Sequence, residues 1–159
     1  ASSSDPWNII VADNALAEAK KTKPYSVSEI FVFQSVTAVK DAQILWSYTK
    51  GPLAYSNGYV TLEPGKTYMI QQNINVTGWP LNYGGTTELK NANGTTIADT
   101  ANLFYPNNIN SANQANGVLT TVVSMASSAS GNELKIGMFN TSGNYARVYY
   151  GSSFTVQEL

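Results

Sequence analysis

From position 68 to 76 the chain alternates without a break. Tyr68, Ile70, Gln72, Ile74 and Val76 fall on one parity, and Met69, Gln71, Asn73 and Asn75 on the other. Side chains of an extended strand point to opposite faces in turn, so this pattern predicts a strand with one buried and one wetter face. Upstream, Val60 and Leu62 share a face between two turn signals, Asn57-Gly58 and Glu63-Pro64-Gly65-Lys66. Downstream, residues 86–90 and 95–99 flank Asn91-Ala92-Asn93-Gly94, a hairpin signature. Residues 118–125 are rich in β-branched side chains. Ser130-Gly131-Asn132 then turns the chain into Leu134, Ile136 and Met138, and Thr141-Ser142-Gly143-Asn144 turns it into a last segment carrying Val148, Tyr149, Tyr150, Phe154 and Val156.

Residues 27–39 follow another rule. Ile30, Val32, Val36 and Ala38 occupy one parity and Phe31, Phe33 and Val39 the other, so both faces are apolar, as in a strand covered on both sides. Ile44-Leu45-Trp46-Ser47-Tyr48 is a further short apolar run. A helix-like stretch occurs at residues 13–21, with Asp13 or Asn14 to cap it and Pro24 to end it. The pattern therefore predicts an all-β chain of about eight to ten strands joined by Gly/Asn turns, best arranged as a two-sheet jelly-roll sandwich with a short N-terminal helix. Residues 1–26 read as a linker and that helix, and residues 27–159 as the jelly-roll domain. The opening Ala1-Ser2-Ser3-Ser4-Asp5-Pro6 lacks the basic start and apolar segment of a secretion signal and reads as an engineered scar or a cut linker.

Composition narrows the chemistry. A chain of 159 residues is about one domain and large enough to bury a core unaided. It has no cysteine and no histidine, which removes disulfides, thiolate nucleophiles, the commonest general base and the commonest transition-metal ligands. Only 12% of residues are charged and the formal net charge is −1, so nothing draws the chain to nucleic acid or an anionic membrane. No apolar run approaches the roughly 20 residues of a membrane-spanning helix. Gly65-Lys66-Thr67 imitates the end of a phosphate loop, but Val60 stands where the first glycine is required. No nucleophile elbow and no calcium-loop spacing occurs, and the ten carboxylates are scattered. No cofactor is implied, and the chain reads as a binding or assembly protein and not an enzyme. Three glycosylation sequons begin at Asn75, Asn93 and Asn140, a number that so much Asn, Ser and Thr produces by chance.

Two stretches stand out as recognition loops. Residues 77–85 carry Trp79 and Tyr83 among turn residues, and the asparagine-rich residues 100–116 carry Phe104 and Tyr105. Rings stack while amides hydrogen-bond, a combination suited to sugars or protein surfaces. These four aromatics are the expected partner contacts. The competing reading has them fold back and plug the ends of the sandwich.

The segment Gly58-Tyr59-Val60-Thr61-Leu62-Glu63-Pro64-Gly65-Lys66-Thr67-Tyr68-Met69-Ile70 resembles the tumour-necrosis-factor-like superfamily, in its branch of globular complement-type heads. Gly131-Asn132-Glu133-Leu134-Lys135-Ile136 is similar to the turn before that family's penultimate strand, and Gly151-Ser152-Ser153-Phe154-Thr155-Val156-Gln157-Glu158-Leu159 to its closing strand. The resemblance covers roughly the last 100 residues in strand order. It implies a ten-stranded jelly roll, a tight homotrimer, and partners bound through trimer surfaces. The missing cysteines, the Asn-rich loops and the extra N-terminal segment depart from secreted animal members and suit trimeric heads on bacteriophage fibres and bacterial surfaces. The expectation is therefore a trimeric fibre head at a virion or cell surface that attaches to a host receptor or surface glycan. Phe31, Phe33, Tyr149 and Phe154 are expected at the trimer interface, because a monomeric sandwich would wet one face of the strands that carry them. The alternatives are a monomeric carbohydrate-binding module and a purely structural coat component.

Overall fold

The computed structural model describes residues 29–31, 34–36, 42–77, 85–106, 114–141, 146–148 and 151–159. The expected N-terminal helix and the boundary near residue 26 lie outside them. Thirteen strands occur among the described residues: β1 (Glu29–Phe31), β2 (Gln34–Val36), β3 (Ala42–Gln43), β4 (Tyr48–Lys50), β5 (Tyr55–Ser56), β6 (Tyr59–Thr61), β7 (Thr67–Thr77), β8 (Gly85–Asn91), β9 (Asn102–Pro106), β10 (Gln114–Ser124), β11 (Lys135–Asn140), β12 (Ala146–Val148) and β13 (Ser153–Glu158). One 3-10 turn, Gly131–Leu134, precedes β11.

All pairings are antiparallel, and they build the two layers of a jelly-roll sandwich. The front sheet runs β4-β1-β13-β7-β10, with β12 also on β7 and β2 on β12. The back sheet runs β8-β11-β6-β5, with β3 on the far end of β11. Strand β9 closes one side by serving both layers: Phe104 pairs with Gly85 of β8, while Tyr105 and Pro106 pair with Asn116 and Ala115 of β10.

The alternation in β7 translates directly into packing. Tyr68, Ile70, Gln72, Ile74 and Val76 are buried, and Met69, Gln71, Asn73 and Asn75 are half-buried. The buried set meets Val60, Leu62, Leu89, Ile136 and Met138 from the back sheet and Phe154 and Val156 from β13 in one core. Both turns form where the sequence places them. Asn57 (φ 52°) and Gly58 (φ 86°) make the left-handed pair that a two-residue hairpin needs, and Gly65 (φ 74°) follows Pro64. The Tyr68 hydroxyl accepts a hydrogen bond from Glu63 N–H at 2.9 Å and clamps the second turn.

Of the expected strand at residues 27–39 the described part is β1, on β13 and β4, and β2, on β12; the rest lies outside the described residues. Two expectations change. The return arm of the Asn91–Gly94 hairpin is an isolated bridge, Lys90↔Thr96, and regular pairing resumes only at Asn102. Much of residues 100–116, expected as a loop, is the crossing strand β9 and the start of β10.

Candidate functional site

Phe104 is fully buried, which corrects the expectation that its ring meets a partner. It fills the corner where β9 passes between the sheets, and two glycines make room for it. A Cβ on Gly85 would fall on the Phe104 ring, and one on Gly117 would fall on the Leu103 carbonyl and lie 2.8 Å from Phe104 Cβ. Phe154 is corrected in the same way: it is fully buried and stacks on Trp46 within the protomer, centroids 6.2 Å apart. Phe31 and Tyr105 are placed by backbone, opposite Ser153 and Asn116 respectively. Trp79, Tyr83, Phe33 and Tyr149 lie outside the described residues.

The outward face of the front sheet has a composition unlike an ordinary solvated surface. Register sets its central side chains in rows. Gln157, Met69 and Val122 form one row, Thr155, Gln71 and Thr120 the next, and Ser153, Asn73 and Val118 the third. None of the nine is charged. Val118 and Val122 are 55% and 60% exposed, and Leu103 of neighbouring β9 is 54% exposed. The polar members are tied down along the sheet: Gln71 Nε2 donates to Thr120 Oγ1 at 3.3 Å and Asn73 Nδ2 to the Gly151 carbonyl at 3.3 Å. Beside these rows, at the rim, Lys66 Nζ and Glu158 Oε1 pair at 2.8 Å. That pairing holds the Lys66 ammonium above its usual range, chiefly through the hydrogen bond to Glu158. Depletion of charge with retained aliphatic and amide groups is the composition of the centre of a protein–protein interface.

Sequence reasoning passed over this face. Residues 118–125 show β-branched side chains on both parities, and only the β7–β10 register reveals that Val118 and Val122 point outward while Val123 is buried. The available signal was in β7, whose wetter face, Met69-Gln71-Asn73-Asn75, carries no charge at all.

Among the described residues no cluster of three or more Asp or Glu could hold a metal ion, and no helix is long and apolar enough to cross a membrane.

No family model and no curated protein matches the sequence. Solved structures do match the fold. Eiger TNF from S. frugiperda is 13% identical, with 86% of this chain and 94% of that chain covered and a TM-score of 0.62. Murine APRIL is 12% identical, covering 85% and 99%, with a TM-score of 0.58. The globular domain of zebrafish complement 1qA protein is 10% identical, covering 84% and 95%, with a TM-score of 0.56. The fold is the TNF-like jelly roll.

Proposed function

We propose that the chain is a homotrimeric head domain, carried on a fibre at a virion or cell surface, that attaches to a host receptor or surface glycan. The observation that carries the assembly is the uncharged outer face of the front sheet, with Val118 and Val122 more than half exposed. A monomer holding such a face in water would gain nothing from it, whereas a second copy buries it. The fold likeness and the family resemblance of the sequence favour three copies around an axis over two. Attachment falls to loop aromatics: Trp79, Tyr83 and Tyr105 are the contacts we assign to the partner, with Phe31, Phe33 and Tyr149 assigned to the trimer interface.

A mass measurement by light scattering tests this reading. At micromolar concentration the chain is expected to elute at three times its 17.1 kDa. A monomeric mass under those conditions would remove it.

A further inference from the structure

On the back sheet, away from the assembly face, lies an open-sided cleft of about 280 Å³. Three separate pieces of chain meet there. The β5–β6 hairpin supplies Ser56, Asn57, Tyr59 and Thr61, the tip of the β8 hairpin supplies Ala92, and the 3-10 turn with the start of β11 supplies Asn132 and Lys135. Backbone hydrogen bonds stitch the pieces together: Ala92 N–H donates to the Asn132 carbonyl at 3.1 Å and Leu62 N–H to the Leu134 carbonyl at 2.8 Å. The hairpin tip is itself held, since Asn91 Oδ1 accepts from Asn93 N–H at 3.0 Å and from Thr95 N–H at 3.1 Å. The walls are therefore preorganised before any ligand arrives.

The chemistry of the walls is specific. The Tyr59 ring is braced by Phe139, centroids 6.3 Å apart, and lies against Gly137, where a Cβ would approach its ring to 3.1 Å. Lys135 is exposed and has no ion-pair partner among the described residues. The neighbouring carboxylate is engaged elsewhere, because Glu133 Oε2 accepts from Ser130 N–H at 3.1 Å. The other lysines near this sheet and its rim differ: Lys90 Nζ sits 5.6 Å from the Phe139 ring centroid and Lys66 pairs with Glu158. The cleft is thus lined by one aromatic ring, one ammonium with no ion-pair partner among the described residues, and amides and hydroxyls that both donate and accept.

We infer that this cleft binds one carboxylated sugar ring, of the uronic or sialic acid type. Its volume of about 280 Å³ falls just below the range of about 300–1,000 Å³ for small-molecule sites, which suits a single pyranose and not a length of peptide. The Tyr59 ring takes the C–H face of the sugar. Ser56, Asn57, Thr61 and Asn132 meet its hydroxyls, and Lys135 takes its carboxylate. One ammonium without an arginine fork or a nest of backbone N–H groups matches a single negative charge better than a phosphate. The inference deepens the attachment reading by naming a ligand class, and rests on it. The cleft itself lies within one protomer, so a monomer that binds the sugar would sink the assembly and leave this site standing.

The test titrates the isotope-labelled full chain with glucuronate, N-acetylneuraminate, glucose and acetate, each to about 20 mM, following backbone amides by NMR. The expected result is saturable shifts confined to the amides around Asn57, Tyr59, Asn132 and Lys135 with at least one acidic sugar, and about tenfold weaker binding of glucose and acetate. Lys135→Gln is expected to lose that preference while Lys90→Gln keeps it. No shifts with either acidic sugar overturns the inference. So do equal shifts with acetate, which would mean a bare carboxylate site, equal shifts with glucose, or unchanged binding in Lys135→Gln.

Discussion

Thr87 Oγ1 on the back sheet donates a hydrogen bond to Gln72 Oε1 on the front sheet at 2.9 Å, and both residues are buried. The other end of the same amide donates to the Thr100 carbonyl at 2.8 Å. Thr100 in turn accepts from Leu89 N–H at 3.1 Å and donates to the Ile97 carbonyl at 2.7 Å, while Asn102 Nδ2 reaches the Gly117 carbonyl at 3.2 Å. The layers are thus fixed against each other by a satisfied polar network as well as by apolar packing. Such a network costs little when complete and much when one member is lost.

Gln72→Ala leaves the Thr87 hydroxyl and the Thr100 carbonyl without partners in a dry interior and opens a cavity. The expected loss is about 3 kcal/mol in urea unfolding. Thr87→Val, which removes one bond and keeps the volume, is expected to cost less, about 1–2 kcal/mol. Equal stability of Gln72→Ala and the parent would show that water replaces the amide and that the network does not lock the layers.

The corner around Phe104 permits a sharper test. Gly85→Ala places a methyl group on the Phe104 ring, whereas Gly117→Ala places one against the Leu103 carbonyl as well. Each substitution is expected to cost about 2 kcal/mol or more from overpacking. Adding Phe104→Leu should then relieve Gly85→Ala and not Gly117→Ala, because backbone does not yield as a side chain does. A double-mutant cycle reads the difference, and additivity in both cases would refute the packing account.

Much of the fold was legible because neighbours in sequence carried it. The β7 alternation and the Asn57-Gly58 and Pro64-Gly65 turns each rest on a few adjacent residues whose geometry is local. Phe104 was misread because its burial depends on Gly85 and Gly117, which lie 19 positions before it and 13 after it. Asn102 and Thr100 look like loop residues in sequence, yet both are buried, and their hydrogen-bond partners come from strands far along the chain. The same limit hid the cleft. Asn57 read only as a turn former and Lys135 only as part of the segment at residues 131–136, and their meeting beside Tyr59 is a product of the β6–β11 register.

Alkaline pH should be the chain's weak side. Burial pushes the Tyr68 phenol up from 10.0, opposed by its hydrogen bond from Glu63 N–H, and burial likewise raises Tyr55 against bonds to Trp46 and Gly58. Below about pH 10 these phenols are protonated in both states and stability is unaffected. Above it the unfolded chain loses protons that the native state still holds, so stability falls as pH rises. Lys66, whose ammonium Glu158 favours, works with the same sign. With no histidine to titrate, the melting temperature is expected to be flat from about pH 7 to 9 and to drop beyond about pH 10. Tyr68→Phe should be about 1 kcal/mol less stable at neutral pH, from the unpaired Glu63 N–H, and should show a shallower alkaline drop. A drop as steep as the parent's would assign the alkaline loss to other groups.

The assembly face can be tested without disturbing the core. Val118 and Val122 point outward from β10, in register with Asn73 and Met69 on β7, so lysine at either position adds a charge with no change in buried packing. Alone in water, Val118→Lys and Val122→Lys should change protomer stability by no more than about 0.5 kcal/mol, as surface substitutions do. In a trimer each change occurs three times around one axis, in a region that registers no carboxylate to receive it. The cost is then desolvation of an ammonium plus like-charge repulsion, several kcal/mol per interface and enough to dissociate a micromolar assembly. The doubly substituted chain is therefore expected to elute as a folded monomer, with its strand signature in circular dichroism intact. Thr61→Lys on the opposite sheet, also exposed and adding the same charge, serves as the control and should leave the trimer unchanged. If the double variant stays trimeric, the valine face is not the interface, whatever the mass of the parent. If Thr61→Lys dissociates the trimer as well, added charge alone is responsible, and the uncharged rows of β7, β10 and β13 are not what holds the copies together.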